Sequence, residues 1–396
     1  MPRHPHFVRV AYATVLGLCA VAPFLAAAQV PDGSYAQLHA FTATEADVSM
    51  GRLLILPDGR LVGTSAYGGE PGYGTVFELK PGTDTVKVLH TFEGPPKDGR
   101  SPHSGMVVGP GGNLWGVTEW GGEYDEGTIF TIDSGGRSRI VHSFGKHPHD
   151  GREPRGELLL ASDGLLYGST LLGGPSDHGS IFRINADGCV TTLWGFLRGG
   201  PFEPDGPLIQ ASDGRLYGTS GSGGTYGCGT VFSLAPDGSD RRIVHSFLFY
   251  LDGCAMDAGL VEASDGLLYG TAPIGGEFDA GTVFRLDRDG GQFAVLHSFA
   301  DPGGVIVNGL VEARPGVFFG TTFSGGKRSE GTIFQLLATG ELEFVYAFSG
   351  SMKPGGWVDG ARPSAPLTPV GDGALIGTTM EGGPEGVGTV FKLRAR

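Results

Sequence analysis

One phrase recurs along this chain: a turn, then Leu-Tyr-Gly-Thr-Thr, then Gly-Gly, four variable residues, Gly-Thr-Val-Phe, and a second turn into Leu-His-Ser-Phe. The first glycine of each Gly-Gly pair falls at Gly68, Gly121, Gly173, Gly223, Gly275, Gly325 and Gly382, at intervals of 53, 52, 50, 52, 50 and 57 residues. In all seven copies four residues separate Gly-Gly from the next Gly-Thr or Gly-Ser, as in Gly275-Gly276-Glu-Phe-Asp-Ala-Gly281-Thr282. A supersecondary unit repeated at this spacing points to a solenoid, a propeller or an array.

The fifth copy shows what one unit contains. Gly259 to Ala263 reads as strand a, Ser264-Asp265-Gly266 as a hairpin turn, and Leu267 to Ala272 as strand b. Gly281 to Leu286 is strand c, and Phe293 to Phe299, after the turn Asp287 to Gly290, is strand d. No segment has a helical period. Four antiparallel strands in 40 to 55 residues is the pattern of a propeller blade. The 72 glycines fit this reading, since hairpin turns and close backbone approach both favour residues without a Cβ.

The ends of the array decide between an open stack and a ring. The seventh copy supplies strands a, b and c (Leu367 onward, Ala374 to Met380, Gly388 to Leu393) and stops before d. The missing strand is found at the other end, where Tyr35-Ala-Gln-Leu-His-Ala-Phe41 matches Leu-His-Ser-Phe. Pairing Tyr35–Phe41 beside Gly388–Leu393 removes both open edges, whereas an open solenoid would need atypical capping repeats. The expected fold is all-β, a seven-bladed propeller closed by the N-terminal strand.

The repeated Leu-Tyr-Gly-Thr-Thr…Gly-Gly…Gly-Thr-Val-Phe phrase resembles the GloVer-type "choice-of-anchor" tandem-repeat family of exported bacterial proteins, over essentially the whole chain after its leader. The resemblance implies export and brings no assigned chemistry. Members carry varied C-terminal sorting segments, and none is read at Lys392-Leu-Arg-Ala-Arg396. The Gly-His and Trp-Asp pairs of WD40 blades are missing.

Residues 1–28 read as a secretory signal. Arg3 and Arg9 form a basic start, Val10 to Leu25 an apolar stretch, and Ala26-Ala27-Ala28 a small-residue cleavage site before Gln29. Leu18 before Cys19 is too large for lipoprotein processing. The mature part, residues 29–396, is then one propeller domain, secreted or periplasmic, with no membrane span and monomeric. A net charge of −14 argues against nucleic-acid or anionic-membrane partners. A polysaccharide or a cell-envelope protein is the expected partner.

Strand alternation puts the d-to-a and b-to-c connections on one face, the top. The bottom turns repeat themselves (Asp163-Gly164, Asp213-Gly214, Asp265-Gly266), while the top loops vary, and variable loops on a rigid scaffold are where binding resides. Eight positions before the first hairpin turn, at the channel mouth, the seven copies carry Met50, His103, Arg155, Asp205, Asp257, Val307 and Ser364. Four adjacent blades thus present His, Arg, Asp and Asp. His103, Asp205 and Asp257 could serve as general acids and bases, and Arg155 as a clamp for an acidic group. The same residues could equally be solvated strand ends. Glu119, Trp120 and Glu381 stand where other copies are small or apolar. Trp120 could stack on a sugar ring or pack against a neighbouring loop.

His39, His90, His142, His245 and His297 recur at one position in strand d, so they read as structural, with a hydrogen bond toward the next blade. His147, His149 and Asp150 could form a metal site, but they share a single loop, and no metal or other cofactor is expected. Of three cysteines after the leader, Cys228 and Cys254 lie in neighbouring top loops and can pair, leaving Cys189 in a bottom turn. No nucleophile elbow, phosphate loop or dinucleotide fingerprint is present. Two functions remain: a binding or scaffold module for an extracellular glycan or protein, and a polysaccharide hydrolase or lyase at the channel mouth.

Overall fold

A computed structural model describes residues 35–394, apart from 84, 148, 186–187, 301–305, 351, 354–355, 358 and 372, together with the side chains of 306–308, 352–353 and 356–357. Residues 1–28, read above as a secretory signal, lie outside the described residues. Seven antiparallel sheets follow one another around a ring, each with the strand order a, b, c, d from the centre outward. In blade five these are Val261–Glu262, Leu268–Ala272, Thr282–Leu286 and Ala294–Ser298. Blade seven takes Thr368–Val370, Ala374–Glu381 and Thr389–Arg394 from the C-terminus and Tyr35–Ala40 from the N-terminus. Tyr35 pairs with Leu393 and Ala40 with Thr389, so the ring is closed as the missing strand implied. Among the described residues Pro110–Gly112 is the one helical turn, and no helix is long and apolar enough to cross a membrane.

The repeat phrase encodes the joints of the ring. The glycine of each Gly-Thr pair has φ between 91° and 110°, the left-handed region that favours glycine. A Cβ at Gly229 would stand 2.1 Å from the Ser220 carbonyl. With the side chain missing, the glycine carbonyl accepts a hydrogen bond from the Phe amide that ends strand d. The bond recurs seven times, from Phe92 to Gly74 at 3.0 Å through to Phe41 to Gly388 at 3.0 Å across the closure.

Those phenylalanines also bind the blades together. The strand-d ring of each blade packs on the strand-c ring of the next: Phe41 on Phe77, Phe92 on Phe130, Phe144 on Phe182, Phe196 on Phe232, Phe247 on Phe284, Phe299 on Phe334 and Phe348 on Phe391. Centroids are 4.8 to 5.5 Å apart, within the range where tilted and edge-on ring pairs attract by about 0.5–1.5 kcal/mol beyond their buried area. Nearer the axis, strand-b hydroxyls donate to carbonyls of the next blade: Thr64 to Ser104 at 2.7 Å and Thr219 to Ala258 at 2.9 Å. At the closure, Ser364 of blade seven donates to Ser49 of blade one at 2.8 Å.

Two local features differ from the sequence expectation. The inner strand of blade five is only Val261–Glu262, shorter than Gly259 to Ala263. The d-to-a connections are also not free loops. Their last residues pair with the end of strand b, as Gly99–Arg100 does with Trp120–Gly121 and Gly151–Arg152 with Leu172–Gly173. The strand-d histidines hold the same connections. His90 Nε2 lies 2.9 Å from Asp98, His245 3.2 Å from Asp252 and His39 3.1 Å from Glu45. His142 lies 3.4 Å from Asp150, which places that carboxylate beside a strand histidine.

Candidate functional site

After this pairing of the d-to-a connection with the end of strand b, the lead-in pair of each blade, the chain turns sharply toward the axis. It does so through one non-glycine residue in the left-handed region: Val48, Ser101, Glu153, Glu203, Ala255 and Arg362, with φ between 55° and 60°. Two residues beyond each stand Met50, His103, Arg155, Asp205, Asp257 and Ser364. A strained turn at a constant offset thus delivers one side chain per blade to the channel mouth. The side chain of Val307 lies outside the described residues.

The structure brings four of these side chains into one arc, with Glu119 at its hub. Glu119 is 4% exposed and occupies a strand-b end where other blades carry Ala66, Leu171, Gly221, Pro273, Phe323 and Met380. His103 Nε2 lies 3.0 Å from Glu119 Oε2. Arg155, from the next blade, donates to Glu119 Oε1 through Nε at 3.0 Å and Nη2 at 2.5 Å. Its Nη1 is 3.6 Å from Asp205 of blade four. Burial alone would raise the Glu119 carboxyl, but His103 and Arg155 outweigh it and hold the group below the usual range.

The acidic end of the arc behaves oppositely. Burial raises the Asp205 carboxyl, although Arg155 pulls against it. The surrounding protein, and then the Asp205 charge, push Asp257 up to about 7. Asp257 nevertheless stays exposed in the opening, and water there screens part of this effect. Glu153, buried at the turn before Arg155, is also raised to about 7, by desolvation opposed by the Arg155 charge. The arc therefore runs from the His103–Glu119–Arg155 pairing to carboxyls raised above their usual range, of which Asp257 holds a proton near neutrality. Such carboxyls can donate as well as accept hydrogen bonds.

Trp120 lies elsewhere. It is half-buried in the lead-in pair of blade two, with the Arg100 guanidinium 5.4 Å from its ring centroid. That contact is with the neighbouring d-to-a connection. Glu381 pairs with Arg362 at 2.7 Å on blade seven, apart from the arc. Cys228 and Cys254 form a disulfide with Cα atoms 4.6 Å apart, and Cys189 is exposed. Among the described residues no group of three or more His, Cys, Asp or Glu is arranged to hold a metal ion.

One layer below, sequence reading missed a second contact. Arg52 of blade one reaches Glu157 of blade three at 2.9 Å, beside a cavity of about 270 Å³ that Met106, Thr368 and Pro369 help to line. The signal was present, since these residues follow Met50 and Arg155 by two positions. The matching residues elsewhere are Gly105, Pro207, Gly259, Gly309 and Pro366, none of them charged.

The Gloeobacter/Verrucomicrobia repeat matches residues 28–208, 134–314 and 256–396, overlapping stretches that span the propeller. Among curated proteins none matches the chain in sequence. Among solved structures, virginiamycin B lyase from Staphylococcus aureus superposes with a TM-score of 0.60 at 13% identity, covering 91% of this chain and 98% of that one. Oligogalacturonate lyase from Vibrio parahaemolyticus does so at 0.58 and 12%, covering 93% and 96%. Likeness at such identity is one of fold.

Proposed function

For a chain that belongs to the Gloeobacter/Verrucomicrobia repeat family, we propose an exported binding module that recognises an extracellular glycan or protein with its top face. The observation that carries this reading is the shared Glu119 carboxylate. Its bonds to His103 and Arg155 fix polar side chains from two blades around the opening. Donors and acceptors held before a ligand arrives lower the entropic cost of binding it. Propellers serve as enzymes and as binding scaffolds alike, so the site has to carry the argument.

The test is a screen of polysaccharides and envelope proteins for binding, repeated on His103→Ala and Asp257→Ala. A ligand whose affinity falls in both variants supports the reading. Ligands that bind both variants as well as the parent protein sink it.

A second reading, a polysaccharide hydrolase or lyase, is favoured by one specific observation. Asp257 is raised to about 7, which suits a group exchanging protons at neutral pH. Release of reducing ends or unsaturated products, abolished by Asp257→Asn, is the outcome this reading requires.

A further inference from the structure

Twelve large apolar side chains are exposed among the described residues, and five of them stand on the top loops of blades four and five. They are Tyr250 (75% exposed), Leu251, Tyr226, Phe278 and Ile274. Exposed apolar groups gathered in this way mark an interaction surface.

These loops are tied to one another. The Cys228–Cys254 disulfide joins the segment bearing Tyr226 to the one bearing Tyr250 and Leu251. The Cys254 amide donates to the Ile274 carbonyl at 2.8 Å, and the Gly276 amide to the Phe249 carbonyl at 2.7 Å, which brings the Phe278 loop against the same segment. The Phe249 ring meets Tyr250 edge-on with centroids 5.1 Å apart. Ordering of the loops on binding is thereby largely prepaid.

Charge narrows the occupant. Residues 221–228, 248–258 and 273–280 contain no Lys or Arg, and besides Asp252, held by His245, and Asp257 at the channel mouth they carry the carboxylates Glu277 and Asp279. Glu277 and Asp279 are exposed on either side of Phe278. Aromatic side chains inside and charged ones at the rim is the anatomy of a protein interface. Leu251 and Ile274 gain from burial against apolar atoms, which a hydroxyl-covered sugar scarcely offers. We infer that the top of blades four and five docks a polypeptide segment carrying apolar side chains and Lys or Arg. The inference rests on the top-face binding reading and names its partner.

The experiment uses the full chain and two short fluorescent peptides of identical Leu and Trp content, one built with Lys and one with Glu. The Lys peptide is expected to bind, more weakly at high salt, and the Glu peptide is not. Tyr250→Ser or Phe278→Ser, exposed positions that leave the core intact, should weaken binding about tenfold, the loss of one interface anchor. Ile243→Ser, at the outer edge of blade four, should leave it unchanged.

Equal binding of both peptides, or indifference to Tyr250→Ser and Phe278→Ser, overturns the inference. So does a dimer in sedimentation that Tyr250→Ser dissolves, since the occupant is then a second copy. Binding of chitosan or cello-oligosaccharides in place of the peptide also overturns it, while the broader top-face reading survives. If neither these probes nor the wider screen finds a ligand sensitive to top-face substitutions, both fall.

Discussion

Arg52 Nη2 and Glu157 Oε1 meet at 2.9 Å across a blade that belongs to neither of them. Gly105 of blade two lies between, and a Cβ there would stand 2.6 Å from the Arg52 carbonyl and 2.8 Å from Glu157 Oε2. Gly105→Ala must therefore displace backbone as well as the ion pair, at a cost of about 1–3 kcal/mol. Glu157→Gln removes only a partly exposed pair, worth less than about 1 kcal/mol. Denaturant midpoints should rank the two variants in that order.

Glu119→Gln keeps the shape of the hub and removes its charge, leaving Arg155 and His103 facing a neutral amide. The expected loss is about 1–3 kcal/mol at pH 7, reduced by the partial exposure of Arg155. The folded Glu119 carboxyl is depressed. Its contribution is therefore complete above the ordinary glutamate value of about 4.3 and disappears as pH falls through the lower folded value. Acid denaturation curves of parent and variant should converge at low pH and separate above it.

The Asp257 carboxyl, at about 7 in the folded protein, carries the opposite sign. An unfolded aspartate titrates near 3.9, so the folded state holds a proton across the interval that the unfolded chain has already lost. The Asp257 contribution to stability therefore falls as pH rises from about 4 to 7, and Asp257→Asn should lessen the slope, leaving the part that the raised Glu153 and Asp205 carboxyls supply. Carboxyl NMR should give an Asp257 midpoint near neutrality that drops in Asp205→Asn. A midpoint unmoved by Asp205→Asn would contradict the charge coupling.

The Cys228–Cys254 bond closes a separation of 26 residues. Cys228→Ser with Cys254→Ser should cost about 2–4 kcal/mol in a denaturant melt, a difference that reductant erases. Amide exchange should quicken in the top loops of blades four and five and stay unchanged in the opposite blades.

The ring was legible because its instructions are local and repeated. Each Gly-Gly, Asp-Gly and Gly-Thr-Val-Phe specifies a turn or strand within a few residues, and the lone Tyr35–Phe41 phrase had only blade seven to complete. The arc was legible in part, because His103, Arg155, Asp205 and Asp257 share one register. Glu119 was visible only as a departure from the repeat, with no sign that it was the hub. Trp120 drew attention as an outlier, but its surroundings depend on Arg100 in a connection whose pairing no periodicity announces.

By itself the sequence determined what repeats: seven four-stranded units, the phenylalanines within strand c and at the end of strand d, and the strand that closes the circle. Tertiary structure alone decided which distant residues meet, such as Phe41 with Phe77, Glu119 with Arg155 and Arg52 with Glu157. The reason is geometric. Backbone preference acts over a few residues, whereas these partners are 36 to 105 residues apart and come together only when curvature brings successive blades to a common axis.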